Sequence, residues 1–222
     1  MLRKKLKKVA IIFDFDGVII NSHKIKTLAF YNIFKSYGKD FGLKAKKFHL
    51  ENIGKSRFIK FKFILKKIFK SRVTKEKLIT LDKKFDTFIN NKIKKMTPSK
   101  YLMSFLKNKE NLGDFYISTG TPQSKIIKIL KEKKMIKYFK KVYGSPRSKI
   151  SHIKEIKKDH NKIVFIGDSF EDFKAAEKTC VNFILKYNSE NFLLRKKLTV
   201  QKINSFKYLN DKLKKVIYED NL

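Results

Sequence analysis

The stretch Val9-Ala10-Ile11-Ile12-Phe13-Asp14-Phe15-Asp16-Gly17 decides how the rest of the chain is read. Its short apolar run, ending in a turn signal, fits a strand buried on both faces better than a helix. Asp14 and Asp16 then stand one residue apart, where a buried strand admits charge only if it has a partner or a task. Turn or cap duty is the plain alternative for the pair. Gly17 gives the chain freedom to turn.

Working outward, the same pattern recurs. Phe115-Tyr116-Ile117 leads into Ser118-Thr119-Gly120, Lys141-Val142-Tyr143 ends at Gly144, and Ile163 to Ile166 ends at Gly167-Asp168. Val181 to Leu185 gives a last strand. Helical patterns separate them at Gln123 to Lys133, Lys149 to Lys158 and Ser169 to Lys178. Apolar strands alternating with amphipathic helices predict an α/β fold, a Rossmann-like parallel sheet with helices on both faces. Residues 22–96 differ. Ile25, Leu28, Ala29, Ile33 and Phe34, then Phe58, Phe61, Leu65 and Phe69, then Leu78, Leu81, Phe85, Phe88 and Ile89 keep helical period without a strand run. This predicts an inserted all-α cap domain at 22–96, with a core formed by 1–21 and 97–222. The Phe stripes read as packing and not as a stacking platform for bases.

The chain has 222 residues, 42% of them apolar, with 21 Phe, which is enough to bury a core. Cys180 is the one cysteine, so no intrachain disulfide forms, and it reads as a small buried apolar group. No run reaches the ~18 apolar residues of a membrane span. Met1 to Lys8 and the apolar run after it imitate a signal peptide, but Asp14 and Asp16 interrupt it and no small-residue cleavage site follows. The expectation is a cytoplasmic protein. The net charge of +35 would attract polyanions. Yet only Arg3, Arg57, Arg72, Arg147 and Arg195 are arginines, and the lysines are spread along the whole chain. Readers of phosphates and bases favour the bidentate Arg fork. A coding bias toward Lys, Ile, Asn and Phe accounts for the charge, and the sequence argues against nucleic acid as partner.

The chemistry falls at the carboxyl ends of the strands, where open α/β sheets build sites. Asp14 and Asp16 supply carboxylates. Ser118-Thr119-Gly120-Thr121 supplies hydroxyls and amides before Pro122, Lys149 follows the Gly144-Ser145-Pro146-Arg147 turn, and Asp168 and Asp172 open the turn after another strand. Carboxylate oxygens suit a hard cation such as Mg²⁺, a lysine neutralises phosphate, and an aspartate can accept a phosphoryl group. His23, His49, His152 and His160 show no pairing pattern and read as ordinary residues.

These four clusters, in this order, resemble the haloacid dehalogenase superfamily, in its phosphatase branch with a helical cap after the first strand (phosphoglycolate phosphatase and β-phosphoglucomutase-like). The resemblance covers nearly the whole chain and loosens after about Tyr187. It implies that Asp14 is the nucleophile, Asp16 the general acid/base and, through its carbonyl, a metal ligand. It implies Lys149 as the charge screen, and Asp14, Asp16, Asp168 and Asp172 as the metal set, with Asp172 indirect. Thr119 resembles the hydroxyl that binds the phosphoryl group, beside Gly120, but strand-end register leaves Ser118 as a rival. In the cap, Gly54-Lys55-Ser56-Arg57 resembles a substrate-facing loop, which makes Arg57 a candidate for binding the anionic far end of the substrate; a solvated Arg after a helix-start Ser is the alternative.

Departures from the family pattern are Asn21-Ser22 for Asp-Ser, and Thr179-Cys180 where Ala-Gly is usual. Lys26 stands where sugar-phosphate mutases carry His, with His23 one turn earlier. Asp16 argues against dehalogenation, whose enzymes lack the second Asp. The expected activity is a Mg²⁺-dependent phosphomonoester hydrolase acting on a small phosphorylated metabolite through an aspartyl-phosphate. A phosphomutase of the same fold and a nucleotide or polynucleotide-end phosphatase are the alternatives. Substrate identity and oligomeric state are not encoded in any readable motif.

Overall fold

The computed structural model describes residues 9–108 and 112–219, so the basic stretch Met1 to Lys8 lies outside the described residues. After strand β1 (Ala10–Phe13) come helices α1 (His23–Lys35), α2 (Lys39–Glu51), α3 (Arg57–Phe63) and α4 (Lys75–Lys95). Then follow α5 (Leu102–Lys107), β2 (Asp114–Pro122), α6 (Gln123–Glu132), β3 (Lys141–Ser145), α7 (Lys149–Ile156) and β4 (Ile163–Gly167). The chain finishes with α8 (Phe170–Lys178), β5 (Asn182–Lys186), α9 (Phe192–Lys197), β6 (Gln201–Ile203) and α10 (Leu209–Lys214). It divides into two compact units, 1–20 with 98–222, and 21–97.

In the first unit the strands form one parallel sheet in the order β3-β2-β1-β4-β5-β6. Every residue of β1 is fully buried, which is why its sequence is apolar without alternation. Ile12 lies between Tyr116 of β2 and Phe165 of β4. That face packs under Ile153 and Ile156 of α7 and Ala175 and Ala176 of α8. On the other face Phe13 meets the rings of Phe105, Phe115, Phe139 and Phe206 at 5.5–6.3 Å. Strand order reverses at β1, so the crevice between the carboxyl ends of β1 and β4 is the switch point where such sheets bind ligands. β6 was not expected. It is three residues long, and its Gln201 and Lys202 carry no strand signal.

The ends of the inserted segment are tied together within this unit. Ser99 donates its N–H to Ile19 O at 2.8 Å and its hydroxyl to Val18 O at 2.6 Å. The second unit packs its four helices around Phe30, Phe34, Phe61 and Phe85, all buried, so the Phe periodicity is core packing there. No helix among the described residues is long and apolar enough to cross a membrane.

Cys180 corrects an expectation: it is exposed. It occupies a left-handed position, φ 51°, where α8 ends. Cys180 N–H reaches Glu177 O and Val181 N–H reaches Ala176 O, the paired closing bonds of a Schellman turn. The turn fixes the residue outward, whatever its hydrophobicity. Glycine is the usual occupant of that slot. Replacing Cys180 by Gly removes a left-handed penalty of about 1–2 kcal/mol against about 0.5–1 kcal/mol of added chain entropy. Denaturant titration of Cys180→Gly should therefore show a gain of roughly 0.5–1 kcal/mol.

Candidate active site

The carboxyl ends of β1, β2 and β4 and the first turn of α7 bring the predicted residues together. Asp14 follows β1 directly, 2% exposed, with its N–H bonded to Ile166 O of β4. Its Oδ1 accepts from Phe15 N at 2.7 Å, and its Oδ2 lies 3.1 Å from Lys149 Nζ. Gly17, φ 78°, makes the return after Asp16, with its N–H on Ile20 O at 2.7 Å. Lys149 opens α7 behind the cap residue Ser148, and its ammonium also pairs with Asp172 Oδ1. Asp172 is in the first turn of α8, where it forms a capping box with Ser169: Oδ2 accepts Ser169 N at 3.0 Å and Ser169 Oγ at 2.5 Å. A Cβ on Gly167 would come within 2.3 Å of Asp172 Cβ, so only glycine at the end of β4 lets Asp172 pack this close.

Asp14, Asp168 and Asp172, all buried, can each direct an oxygen to within 4.8 Å of the others. Three carboxylates against the single ammonium of Lys149 leave an excess of negative charge in a buried site. Burial is the main force lifting the Asp14 pKa, which Asp172, Asp168 and Asp16 raise further and Lys149 opposes; the result is about 8. Burial also works against charge on Lys149, but Asp14 and Asp172 outweigh it and raise its pKa, holding it protonated. A divalent cation bound by carboxylate oxygens cancels this surplus, so the donor set fits such an ion. The Asp16 carboxylate stands outside the cluster and accepts from Thr121 Oγ1 at 3.1 Å.

Ser118 and Thr119 are both buried, but alternation along β2 separates their tasks. Ser118 has the parity of Tyr116 and faces α7, where its Oγ lies 2.9 Å from His152 Nδ1. Thr119 has the opposite parity. It sits where the β2–β3 register breaks, between Ser118 and Pro122, beside Gly120, and its Oγ1 accepts from Thr121 N at 3.2 Å. The geometry therefore ties Ser118 to the scaffold through His152 and sets Thr119 on the opposite face of the strand. Sequence reading missed His152, which braces α7 against β2. Burial, followed by the charges of Arg147 and Lys149, lowers its pKa to about 4 and keeps it neutral. The available signal was its place one helical turn after Lys149. Thr121, the partner of Asp16, was passed over as part of a hydroxyl cluster.

Arg57 opens α3, within the helical unit. Its Nε lies 2.7 Å from Asp82 Oδ1 and its Nη1 donates to Asp86 Oδ1 at 2.7 Å, both on α4. The guanidinium is 4.9 Å from the Phe85 ring centroid, and the residue is 6% exposed. It is not the solvated Arg of the alternative reading. Both carboxylates belong to the same unit, and the Nη1 bond to Asp86 ties α3 to α4.

Fold and site together define a parallel α/β protein with a buried carboxylate–lysine centre at the switch point. Residues 11–186 match the model of the haloacid dehalogenase-like hydrolases, and the chain belongs to that family. No curated protein matches its sequence. Among solved structures, β-phosphoglucomutase from Clostridium difficile is similar at 19% identity with a TM-score of 0.70, over 94% of this chain and 98% of that one. A predicted phosphoglycolate phosphatase from Haemophilus somnus gives 14% and 0.69, over 94% and 99%. A haloacid dehalogenase-like hydrolase from Streptococcus pneumoniae gives 18% and 0.63, over 93% and 99%.

The Asp14 shift has a measurable sign. Its folded value of about 8 lies above the ordinary 3.8, so folding disfavours the ionised form and the metal-free protein loses stability as pH rises between those values. A cation binding the carboxylate must displace the retained proton. Calorimetric titration with Mg²⁺ should show affinity weakening from about pH 8 to about pH 6, with proton release visible on changing the buffer's ionisation enthalpy. An affinity independent of pH would refute this account of Asp14.

Proposed function

We propose that the chain is a Mg²⁺-dependent phosphomonoester hydrolase that acts on a small phosphorylated metabolite in the cytoplasm through an aspartyl-phosphate intermediate. The observation that carries this reading is the Lys149 ammonium shared between Asp14 and Asp172, with Asp168 beside them in one buried cluster. In this reading residues 1–21 and 97–222 are the catalytic core and 22–96 its cap. Asp14, Asp168, the Asp16 carbonyl and, indirectly, Asp172 would hold the cation, whose contribution is to neutralise charge on the phosphoryl oxygens.

Lys149 and the Phe15 N–H hold the Asp14 carboxylate in place. Asp14 oxygen attacks phosphorus and the bond to the ester oxygen breaks, while Asp16 delivers its proton to the departing alcohol. Asp16 then takes a proton from water, which attacks the aspartyl-phosphate, releases inorganic phosphate and restores Asp14. Thr119 accepts from Thr121 N–H, which leaves its hydroxyl hydrogen for a phosphoryl oxygen, and Gly120 lets the backbone come close. Lys149 balances the charge that gathers on Asp14 and the phosphoryl group.

Phosphate release over a panel of phosphorylated metabolites, with Mg²⁺ and with EDTA, tests the reading. Asp14→Asn should abolish turnover in a folded protein, since an amide cannot accept the phosphoryl group; retained phosphate release would exclude the covalent route. Conversion of a sugar phosphate to its isomer without phosphate release would make the enzyme a mutase instead.

Asp16→Asn should slow turnover by about 10²- to 10⁴-fold, and more for alkyl than for activated aryl esters. Equal losses on both esters would remove Asp16 from proton transfer.

A further inference from the structure

Asn191 opens α9, yet its side chain makes no capping bond to that helix. Its amide turns instead toward the sheet. Nδ2 donates to Asp168 O at 2.8 Å and to Lys186 O at 3.1 Å, and Oδ1 accepts from Asn188 N at 2.8 Å. The last ladder pair of β4 and β5 is Gly167 with Leu185, so this one amide carries the pairing a step further, to Asp168 and Lys186. An asparagine at a helix start normally satisfies that helix's own N–H groups. Here both amide hydrogens are given to carbonyls that hold the backbone of a cluster carboxylate.

Lys186 is the second anomaly. It ends β5, is 8% exposed, and its ammonium carries no ion pair among the described residues. Burial lowers its pKa, and Asp168 is the charge that opposes the shift. A lysine seldom stays this buried without a carboxylate partner. The Lys186 backbone is bridged to that of Asp168 by Asn191. A buried ammonium within the field of Asp168 works against a cation there, because like charges repel at low dielectric.

We infer that Asn191 and Lys186 are positioning residues that set the cation affinity of Asp168, Asn191 by fixing its main chain and Lys186 by opposing charge. The inference rests on the proposed cation-dependent reading of the cluster. It demands effects of opposite sign from two residues outside the family motifs. Removing the amide frees the Asp168 turn and weakens binding, whereas removing the ammonium strengthens it.

Mg²⁺ titration calorimetry on the full chain at about pH 8, with thermal melts in EDTA, tests this. Asn191→Ala should weaken Mg²⁺ binding roughly 10-fold, the scale seen when groups that orient metal ligands are lost. Lys186→Met should tighten it by about 3- to 10-fold, and Lys186→Arg should keep the wild-type affinity. Asp168→Asn separates the two levels. If it binds Mg²⁺ as the wild type does, the cation reading and this inference fall together. If it loses Mg²⁺ while either Asn191→Ala or Lys186→Met keeps wild-type affinity, this inference alone is overturned. A lower melting temperature of Asn191→Ala with unchanged affinity would show a purely structural amide and also overturn it. Should Asn191→Ala not fold, Lys186→Met decides by the same criterion.

Discussion

One ammonium group holds the site together. Lys149 lies between Asp14 at the end of β1 and Asp172 at the start of α8, and all three side chains are buried. A lone buried charge costs several kcal/mol, so each member of this set requires the others. Much of the surrounding chain follows from that requirement. Gly167 is small so that Asp172 can approach, Ser169 closes the capping box that aims Asp172, and His152 ties the helix of Lys149 to the strand of Thr119. Because the carboxylates outnumber the Lys149 ammonium, the cluster suits a cationic guest.

The global charge and the local charge point in opposite directions. The chain carries +35, yet its buried centre is negative. Exposed lysines are screened over about 10 Å at ordinary ionic strength, while charges in the buried centre interact at close range. The surface lysines can therefore attract anions to the protein without altering the electrostatics at Asp14. The lysine count is a property of the solvent-facing surface, whereas the buried centre is set by a few charges.

The core strands and the four motif clusters were legible because each strand is buried on both faces and ends in residues that an apolar strand does not otherwise tolerate. Asp14 and Asp168 stood out in that way, Lys149 and Asp172 only through the order of the clusters, and the structure brings all four together. What stayed illegible involved side chains whose partners are distant in sequence. Arg57 gave no sign of its partners because Asp82 and Asp86 lie a helix away in sequence, and the α3–α4 contact brings them within ion-pair distance. Ser118 and Thr119 could not be separated until strand register fixed their parity. Cys180 read as buried from its side chain, whereas a left-handed turn position decided its exposure. β6 is polar and short, and owes its pairing to β5 alone.

Ser99 closes the seam at which the helical segment enters and leaves, by bonds to Val18 and Ile19. With the two ends clasped, the sheet is indifferent to how much chain lies between them, since the cost of enlarging a loop grows only with the logarithm of its length. The inserted segment is thus an interchangeable cassette. It can lengthen or shorten at little cost to the sheet, and this clasp is where a designer would graft a foreign module.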